Sequence, residues 1–259
     1  MALHKVKITI HRTRIGKDIV AEFAIPRSAK HQKEGRVIIL CQGAPTMPGK
    51  SNLMEFIASK GFFVILPRYR GTWESSGRFL EKEPTEDIKE VIAALTMPLL
   101  SLYEGVAYSF PKKPKIFLFA SSFGAPASFF LSKHPLVKKV IALSPVVDWC
   151  TPSKAEPLEL FTAFTKEVYG EGYRFAPKGW MKLAKGDFYN PATALTRVDG
   201  SKIAIFHAKD DDIIDFDSVD RFALASGIKA FFFSPSGGHL GLSEVMNPET
   251  WSEVRKFLK

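Results

Sequence analysis

Cysteine is scarce in this chain of 259 residues, and long apolar runs are absent. The two cysteines, Cys41 and Cys150, are too few for a disulfide framework and fit a reducing compartment. No stretch approaches the roughly 18 consecutive apolar residues that a membrane-spanning helix needs. The opening residues, MALHKVKITI, do not combine an apolar segment with a small-residue cleavage site, as a secretory signal would. We therefore expect a cytoplasmic protein without a membrane partner.

Acidic residues are outnumbered: 36 Lys and Arg against 27 Asp and Glu give a net charge of +9. Such a balance can indicate an anionic partner. The positive residues are scattered, however, and local runs such as residues 112–115 are too short for a nucleic-acid-binding arm. We expect a solvated, lysine-rich surface and no nucleic-acid partner.

Short β-rich segments alternate with segments of helical spacing, and no internal repeat or low-complexity stretch interrupts them. Nearly continuous apolar runs such as RVIIL and FFVIL are typical of strands covered on both faces. The pattern predicts an α/β fold with a mostly parallel central sheet, helices on both faces and a mixed edge. Predicted strands cover residues 4–10, 19–26, 36–40, 62–66, 115–120, 137–143, 202–208 and 229–234. Predicted helices cover residues 51–60, a segment from Thr85 or Asp87, 122–133, 217–226 and a last segment capped by Asn247.

One segment, residues 149–198, is much longer than a normal connection between two strands and is rich in aromatic residues. Long segments in compact domains are usually functional or carry their own structure. We interpret it as a helical cap inserted into a core made of residues 1–148 and 199–259. Its aromatics, Phe161 and Trp180 among them, either line a substrate pocket or form a small core of the cap.

A pair of serines stands between the strand KIFLF and a predicted helix, in the segment FASSFG of residues 119–124. A serine nucleophile at such a strained turn needs small residues two positions before and after it. Ser122 has Ala120 and Gly124 there, whereas Ser121 would have two phenylalanines. The segment therefore favours Ser122 as a nucleophile over a plain helix-capping role for the two serines.

A serine hydroxyl needs a base to become nucleophilic at neutral pH. Of the six histidines, His239 follows the last predicted strand in the glycine-containing loop SGGHL, where its ring is free to reach a serine. His4, His11 and His31 lie in the N-terminal part, His134 ends a predicted helix, and His207 lies inside a strand. These positions favour His239 as the base.

An aspartate is needed to orient that histidine. Asp210, Asp211 and Asp212 follow the strand KIAIFHA at the sheet edge where ligands collect in α/β folds, and their spacing does not separate them. Asp148, just after the strand VKKVIAL, is a further candidate for the same role, with a turn or capping residue as its simpler interpretation.

An oxyanion needs two N–H donors. The N–H of Phe123 lies at the predicted helix start, and that of Ala44 follows Gly43, where the backbone can come close. Gln42 and Gly43 are therefore candidate substrate-binding residues with Phe161 and Trp180. Gln42 either supports the site or is a plain turn residue.

Four stretches resemble α/β-hydrolases of the prolyl-oligopeptidase-like and dienelactone-hydrolase-like branch, over nearly the whole chain. LCQGAP resembles the oxyanion segment, LPRYRGTWESSG the D-x-R-G-x-G-x-S stretch, FASSFGAPA the nucleophile turn, and HAKDDDII the H-G-x-x-D-x-x-V acid loop. The last alignment implies Asp211 as the acid and makes Asp148 structural. The order Ser, Asp, His is that of the α/β-hydrolase fold. The chain departs from the family in Gln42 for histidine, Arg68 for aspartate and Ala120 for glycine.

The resemblance implies a serine hydrolase that cleaves an ester or amide through an acyl-enzyme, with no metal or organic cofactor. A carboxylesterase acting on a small-molecule ester is favoured by the apolar cap. A small aminopeptidase or acyl-peptidase-like enzyme acting on short peptides is the alternative. A non-catalytic binding protein of the same fold is the alternative from another class.

Overall fold

The computed structural model describes residues 8–151, 153 and 155–259. The described part of the chain opens with an antiparallel hairpin of β1 (Ile10–Ile15) and β2 (Ile19–Ala24), joined by a turn at residues 16–18. The first strand is predicted at residues 4–10, and these bounds are wrong: within the described residues the strand begins at Ile10 and ends at Ile15. The reason is that His11 and Thr13 occupy inward-facing positions, so the strand lacks an apolar alternation. Residues 4–7 lie outside the described residues.

Six parallel strands form the body of an eight-stranded sheet in the order β1-β2-β4-β3-β7-β8-β9-β10. Strand β2 pairs with β4 in the antiparallel sense, so the sheet is mixed at that edge as predicted. The mostly parallel sheet is confirmed. The six strands are β3 (Arg36–Cys41), β4 (Phe63–Pro67), β7 (Lys115–Ser121), β8 (Val137–Leu143), β9 (Ile203–Ala208) and β10 (Ala230–Ser234).

Helices cover both faces of this sheet. Alternation along β3 shows the division: Ile38 and Leu40 pack in one cluster, and Val37 and Ile39 in the other. On the first face lie α2 (Ser51–Ser59) and α7 (Pro248–Phe257), and on the second α3 (Pro84–Ala94), α4 (Ala125–Phe130) and α6 (Phe216–Ser226). The sequence did not indicate the short helix α1 (Ala29–Glu34) or the small hairpin of β5 (Leu99–Leu100) and β6 (Ala107–Tyr108).

The described residues of the segment 149–198 form one α-helix, α5 (Leu158–Tyr169), and several short 3-10 turns, the longest of them Gly179–Lys185. Its buried aromatics join the cluster of α3 and α4 and do not form a separate small core. Isolated bridges from Thr72 to Tyr173 and from Phe79 to Phe175 fasten the segment to the loop after β4. Among the described residues, no helix is long and apolar enough to cross a membrane.

The order in which successive strands are added to the sheet reverses at β3, because β4 lies on one side of β3 and β7 on the other. In open α/β sheets the crevice for a ligand lies at the carboxyl ends of the strands at such a switch point. Residues 42–44 follow β3 and Ser122 follows β7. The topology thus brings the two predicted oxyanion segments to one crevice.

Candidate active site

Ser122 occupies a strained turn between β7 and α4. The strand ends at Ser121, the 3-10 turn Ser122–Gly124 follows, and α4 begins at Ala125. Ser122 has a φ of +48°, in the left-handed region that non-glycine residues rarely adopt. Such a residue costs about 1–3 kcal/mol and persists only where its surroundings hold it.

Close packing of two backbones holds this turn. A Cβ added at Gly124 would lie 2.0 Å from the carbonyl oxygen of Cys41, at the end of the neighbouring strand β3. The ring of Phe123 is buried among aromatic rings, with its centroid 5.2 Å from that of Phe79 and 5.4 Å from that of Trp180. The hydroxyl of Tyr189 donates to the Phe123 carbonyl at 2.8 Å. The turn is therefore fixed from the sheet side and from the inserted segment.

His239 meets Asp211 across the carboxyl edge of the sheet. His239 Nδ1 lies 3.1 Å from Oδ1 and 3.0 Å from Oδ2 of Asp211, whose side chain is fully buried. The imidazole remains partly exposed, so Nε2 is the ring nitrogen left for the pocket. Two further bonds hold the histidine loop: Leu240 N–H donates to Ser144 Oγ at 2.9 Å, and Gly238 N–H donates to Asp210 Oδ1 at 2.8 Å.

The acid loop folds around Asp211. The N–H groups of Ile213 and Ile214 donate to Asp211 Oδ1 at 3.0 and 2.9 Å. Burial opposes ionisation, but the hydrogen bonds from His239 and Ile214 outweigh it and lower the pKa of Asp211 to about 2. The carboxylate is thus charged at neutral pH and able to stabilise an imidazolium.

The other candidate aspartates have local structural contacts. Asp148 accepts from the Cys150 N–H at 3.0 Å and from Asn190 Nδ2 at 2.8 Å, which matches its interpretation as a turn residue. Asp210 bonds to the histidine loop through Gly238, and no hydrogen bond from Asp212 is found within the described ranges. Of the three neighbouring aspartates, Asp211 is the one that the structure places against His239.

Ser122 and His239 line the same cavity of about 280 Å³. In the described part of the chain no hydrogen bond joins Ser122 Oγ to the imidazole. Catalytic hydrogen bonds are often long in ligand-free enzymes and tighten around substrate. The structure therefore brings the three predicted residues to one site, with the Asp–His contact made and the Ser–His contact open.

The residues of the candidate oxyanion donors, Ala44 and Phe123, line a cavity together with Ser122. No acceptor for the Ala44 N–H is found among the described residues, and the Phe123 N–H lies in the first turn of a helix, where such groups lack helical partners. A Cβ at Gly43 would lie 3.3 Å from that of Ser122, so the two segments are in near contact. The Thr46 N–H donates to Tyr173 Oη at 2.9 Å, which fixes the loop after β3.

A second cavity of about 290 Å³ extends from Ser122 under the inserted segment. Phe161 lines it, with apolar neighbours that include Val146, Trp149 and Leu158. Trp180 does not: its side chain is fully buried, and its ring lies 4.8 Å from that of Phe161. The prediction that Trp180 contacts substrate is corrected, since it supports the wall from behind. Gln42 and Gly43 line the cavity on the His239 side.

Three residues of this site were not predicted from the sequence. Ser144, with a φ of +40°, directly follows β8, and its Oγ accepts the Leu240 N–H. Glu156 lines both cavities, and burial raises the pKa of its carboxyl. Lys50 lines the cavity that contains His239, and burial lowers the pKa of its ammonium group.

The chain matches no protein-family model and no curated protein sequence. It does resemble solved structures. An acylaminoacyl peptidase from Pyrococcus horikoshii matches with a TM-score of 0.65 at 17% identity, over 97% of this chain and 40% of that one. The Pyrococcus furiosus esterase Pf2001 matches with a TM-score of 0.63 at 17% identity, over 97% and 89% of the two chains. An alpha-beta serine hydrolase homologue from Coxiella burnetii matches with a TM-score of 0.53 at 16% identity, over 100% and 98%.

These likenesses show the fold: the chain has the α/β-hydrolase fold, as the sequence predicts. It spans less than half of the length of the acylaminoacyl peptidase.

Proposed function

We propose that this protein is a serine hydrolase that cleaves an ester or amide bond through an acyl-enzyme, with carboxylesters as the favoured substrates. One observation carries the proposal: the buried Asp211 carboxylate holds His239 at 3.0 Å, in a cavity that Ser122 enters from a strained turn. Each member of a Ser-His-Asp arrangement is in a position that suits its role.

In this mechanism the substrate carbonyl binds against Ser122. His239 Nε2 takes the proton from Ser122 Oγ as the oxygen attacks, while Asp211 holds the other ring nitrogen and stabilises the imidazolium. The imidazolium returns its proton to the leaving group, and the acyl group remains on Ser122. His239 then activates a water that releases the acid.

Negative charge on the carbonyl oxygen in the tetrahedral state is stabilised by the N–H groups of Phe123 and Ala44. Removing one donor of this kind typically costs about 3 kcal/mol of transition-state stabilisation. Gln42 supports this loop: its carbonyl oxygen accepts a hydrogen bond from Tyr69 Oη at 3.0 Å.

Pocket chemistry favours an ester with an apolar acyl or aryl group. Phe161, Trp149 and Leu158 form an apolar wall beside Ser122 that suits such a group. A peptidase acting on short or acylated peptides is the second candidate, supported by the likeness to the acylaminoacyl peptidase and by two charged side chains, Lys50 and Glu156, in the cavity with His239.

The test is covalent labelling with a fluorophosphonate probe, followed by a panel of p-nitrophenyl esters and aminoacyl anilides. Wild-type protein is expected to label at Ser122, and Ser122→Ala and His239→Ala to label poorly or not at all. Ser121→Ala is the matched control, because Ser121 precedes Ser122 but does not follow the favoured turn pattern. Folded wild-type protein that neither labels nor cleaves any compound would instead favour a non-catalytic binding protein.

A further inference from the structure

A further concavity, here called the basic groove, lies at the edge of the sheet opposite to the candidate active site. It has a volume of about 1170 Å³, and residues at the beginnings of the parallel strands line it. Strand β7 runs from this edge at Lys115 to the catalytic edge at Ser121. Seven residues of strand cover about 20 Å, so this basic groove is well separated from Ser122. Seven basic residues line it against one acidic residue, Glu34: Arg36, Lys60, Lys115, Lys138, Lys139, Arg255 and Lys259.

The sheet itself places several of these charges in a row. Arg36 opens β3 and Lys115 opens β7, and the two residues are direct partners in the parallel register. Lys138 and Lys139 are the second and third residues of the next strand, β8, which begins at Val137. Neighbouring strands are about 4.8 Å apart, so the row extends about 10 Å across the edge.

Few carboxylates compensate this row. Arg36 pairs with Glu34 at 2.8 Å, and among the residues that the structure describes no other cation of the groove makes an ion pair. Helix termini account for Lys60 and Arg255, which lie at the ends of α2 and α7 where positive charge is favourable. Lys115 and Lys138 lie at the beginnings of strands, so no helix terminus explains their positive charge. Like charges on adjacent strands repel each other and destabilise the sheet, and a bound anionic ligand would reduce this repulsion.

The floor of the groove is apolar. Trp251 and Phe56 pack edge to face at 5.2 Å, with Met246 and Leu258 beside them. The rings are poor platforms for nucleic-acid bases, because Phe62 and Phe117 are buried and Lys60 Nζ lies 4.8 Å over the Phe56 ring. A ligand that fits has carboxylates at intervals along its length and aliphatic side chains between them.

We propose that the basic groove binds an acidic polypeptide segment in which Asp or Glu residues alternate with apolar ones. The cations at the strand ends pair with its carboxylates, and the floor around Trp251 receives its apolar side chains. This site is distinct from the proposed hydrolase site and does not depend on it.

Fluorescence anisotropy with a short fluorescein-labelled peptide of alternating Glu and Leu tests the proposal. Wild-type protein is expected to bind it near physiological salt, with affinity falling as salt rises, and to bind a Gln-for-Glu version at least tenfold more weakly. Lys115→Glu/Lys138→Glu is expected to weaken binding at least tenfold. Lys112→Glu/Lys113→Glu is the matched control: it changes the net charge equally at exposed residues that do not line the groove, and is expected to stay within twofold of wild type.

Circular dichroism establishes that both double variants remain folded, and the milder Lys115→Gln/Lys138→Gln replaces the first if it does not. Equal losses in the groove variant and in the control would overturn the proposal, because net charge alone would then explain binding. Tighter binding of a thymidine oligonucleotide than of the peptide would overturn it in favour of nucleic acid. No binding of the peptide by folded wild-type protein would overturn it outright.

Discussion

His207 Nδ1 lies 3.7 Å from Asp211 Oδ2, and both side chains are fully buried. On its other side, His207 Nε2 lies 3.1 Å from the carbonyl oxygen of Ile214. A carbonyl only accepts, so Nε2 carries the proton and the neutral ring turns the lone pair of Nδ1 towards the carboxylate. Burial lowers the pKa of His207 and keeps it neutral. Asp211 therefore has His239 as its imidazolium partner, while His207 holds the loop that supplies the Ile213 and Ile214 N–H groups.

Replacing His207 is expected to impair catalysis without abolishing substrate binding. His207→Phe removes the bond to Ile214 and loosens the N–H groups that orient Asp211, so we expect kcat to fall about tenfold with KM changed less than twofold. Steady-state kinetics on a p-nitrophenyl ester measures both values.

His207→Gln keeps an amide donor for the Ile214 carbonyl, and we expect it to recover part of the lost kcat. His134→Phe is the matched control, because the His134 ring accepts a local hydrogen bond from the Leu136 N–H and lines neither cavity at Ser122. An unchanged kcat in folded His207→Phe would show that His207 is a packing residue alone.

The three consecutive aspartates offer a comparison of equal chemical changes. Asp211→Asn leaves His239 in the wrong tautomer and is expected to lower kcat by about 10³–10⁴, as in other triads. Asp210→Asn keeps an oxygen for the Gly238 N–H, and Asp212→Asn removes no hydrogen bond of a described residue. We expect both to stay within about threefold of wild type, measured as kcat/KM. A large loss in Asp212→Asn with an active Asp211→Asn would contradict the assignment.

Local signals in the sequence were sufficient to predict that Ser122 and His239 lie at one site, and both line the same cavity. The small residue two positions after Ser122 is required by the close approach of the Cys41 carbonyl to Gly124, a constraint that acts over a few residues. His239 lies in a loop after the last strand, so its location at the carboxyl edge follows from the parallel sheet. The mostly parallel character of the sheet, with its mixed edge, followed from the alternation of strands and helices, whereas the strand order did not.

Features that depend on how side chains and loops are oriented in the tertiary structure could not be predicted from the sequence. Spacing left Asp210, Asp211 and Asp212 equivalent, because their separation depends on how the loop turns to direct two N–H groups at one carboxylate. The sequence does not show whether an aromatic side chain of the inserted segment faces the pocket or the core, and the prediction for Trp180 is wrong for this reason. Ser144 contributes through a backbone conformation that its residue type does not favour.

Gly124→Ala tests whether close packing alone shapes the turn. Gly124 has a φ of −75°, which alanine adopts freely, so the expected damage comes from the 2.0 Å approach of the new Cβ to the Cys41 carbonyl. Neither backbone can move without disturbing a central strand. We expect a loss of about 3 kcal/mol or more in the free energy of unfolding, measured by urea denaturation.

Gly49→Ala is the matched control, since a Cβ there meets no atom within 4 Å. Its free energy of unfolding is expected to stay within about 0.5 kcal/mol of wild type. A Gly124→Ala protein as stable as this control would mean that the turn relaxes easily, and that Ser122 is not held in a strained conformation.

Protonation of Asp211 at acid pH is expected to lower the free energy of unfolding. Its pKa is about 2 in the folded protein against 3.8 in the unfolded chain, so the unfolded chain takes up the proton first as pH falls. The stabilisation is complete above about pH 4 and is lost between about pH 4 and pH 2; the shift corresponds to about 2 kcal/mol. Asp211→Asn cannot titrate there, so its urea-unfolding free energy should fall less steeply than that of wild type over this interval.

Asp212→Asn is the control: Asp211 is intact in this variant, so its unfolding free energy should follow the wild-type curve. Parallel curves for wild type and Asp211→Asn would show that the bonds from His239 and Ile214 do not stabilise the ionised carboxylate.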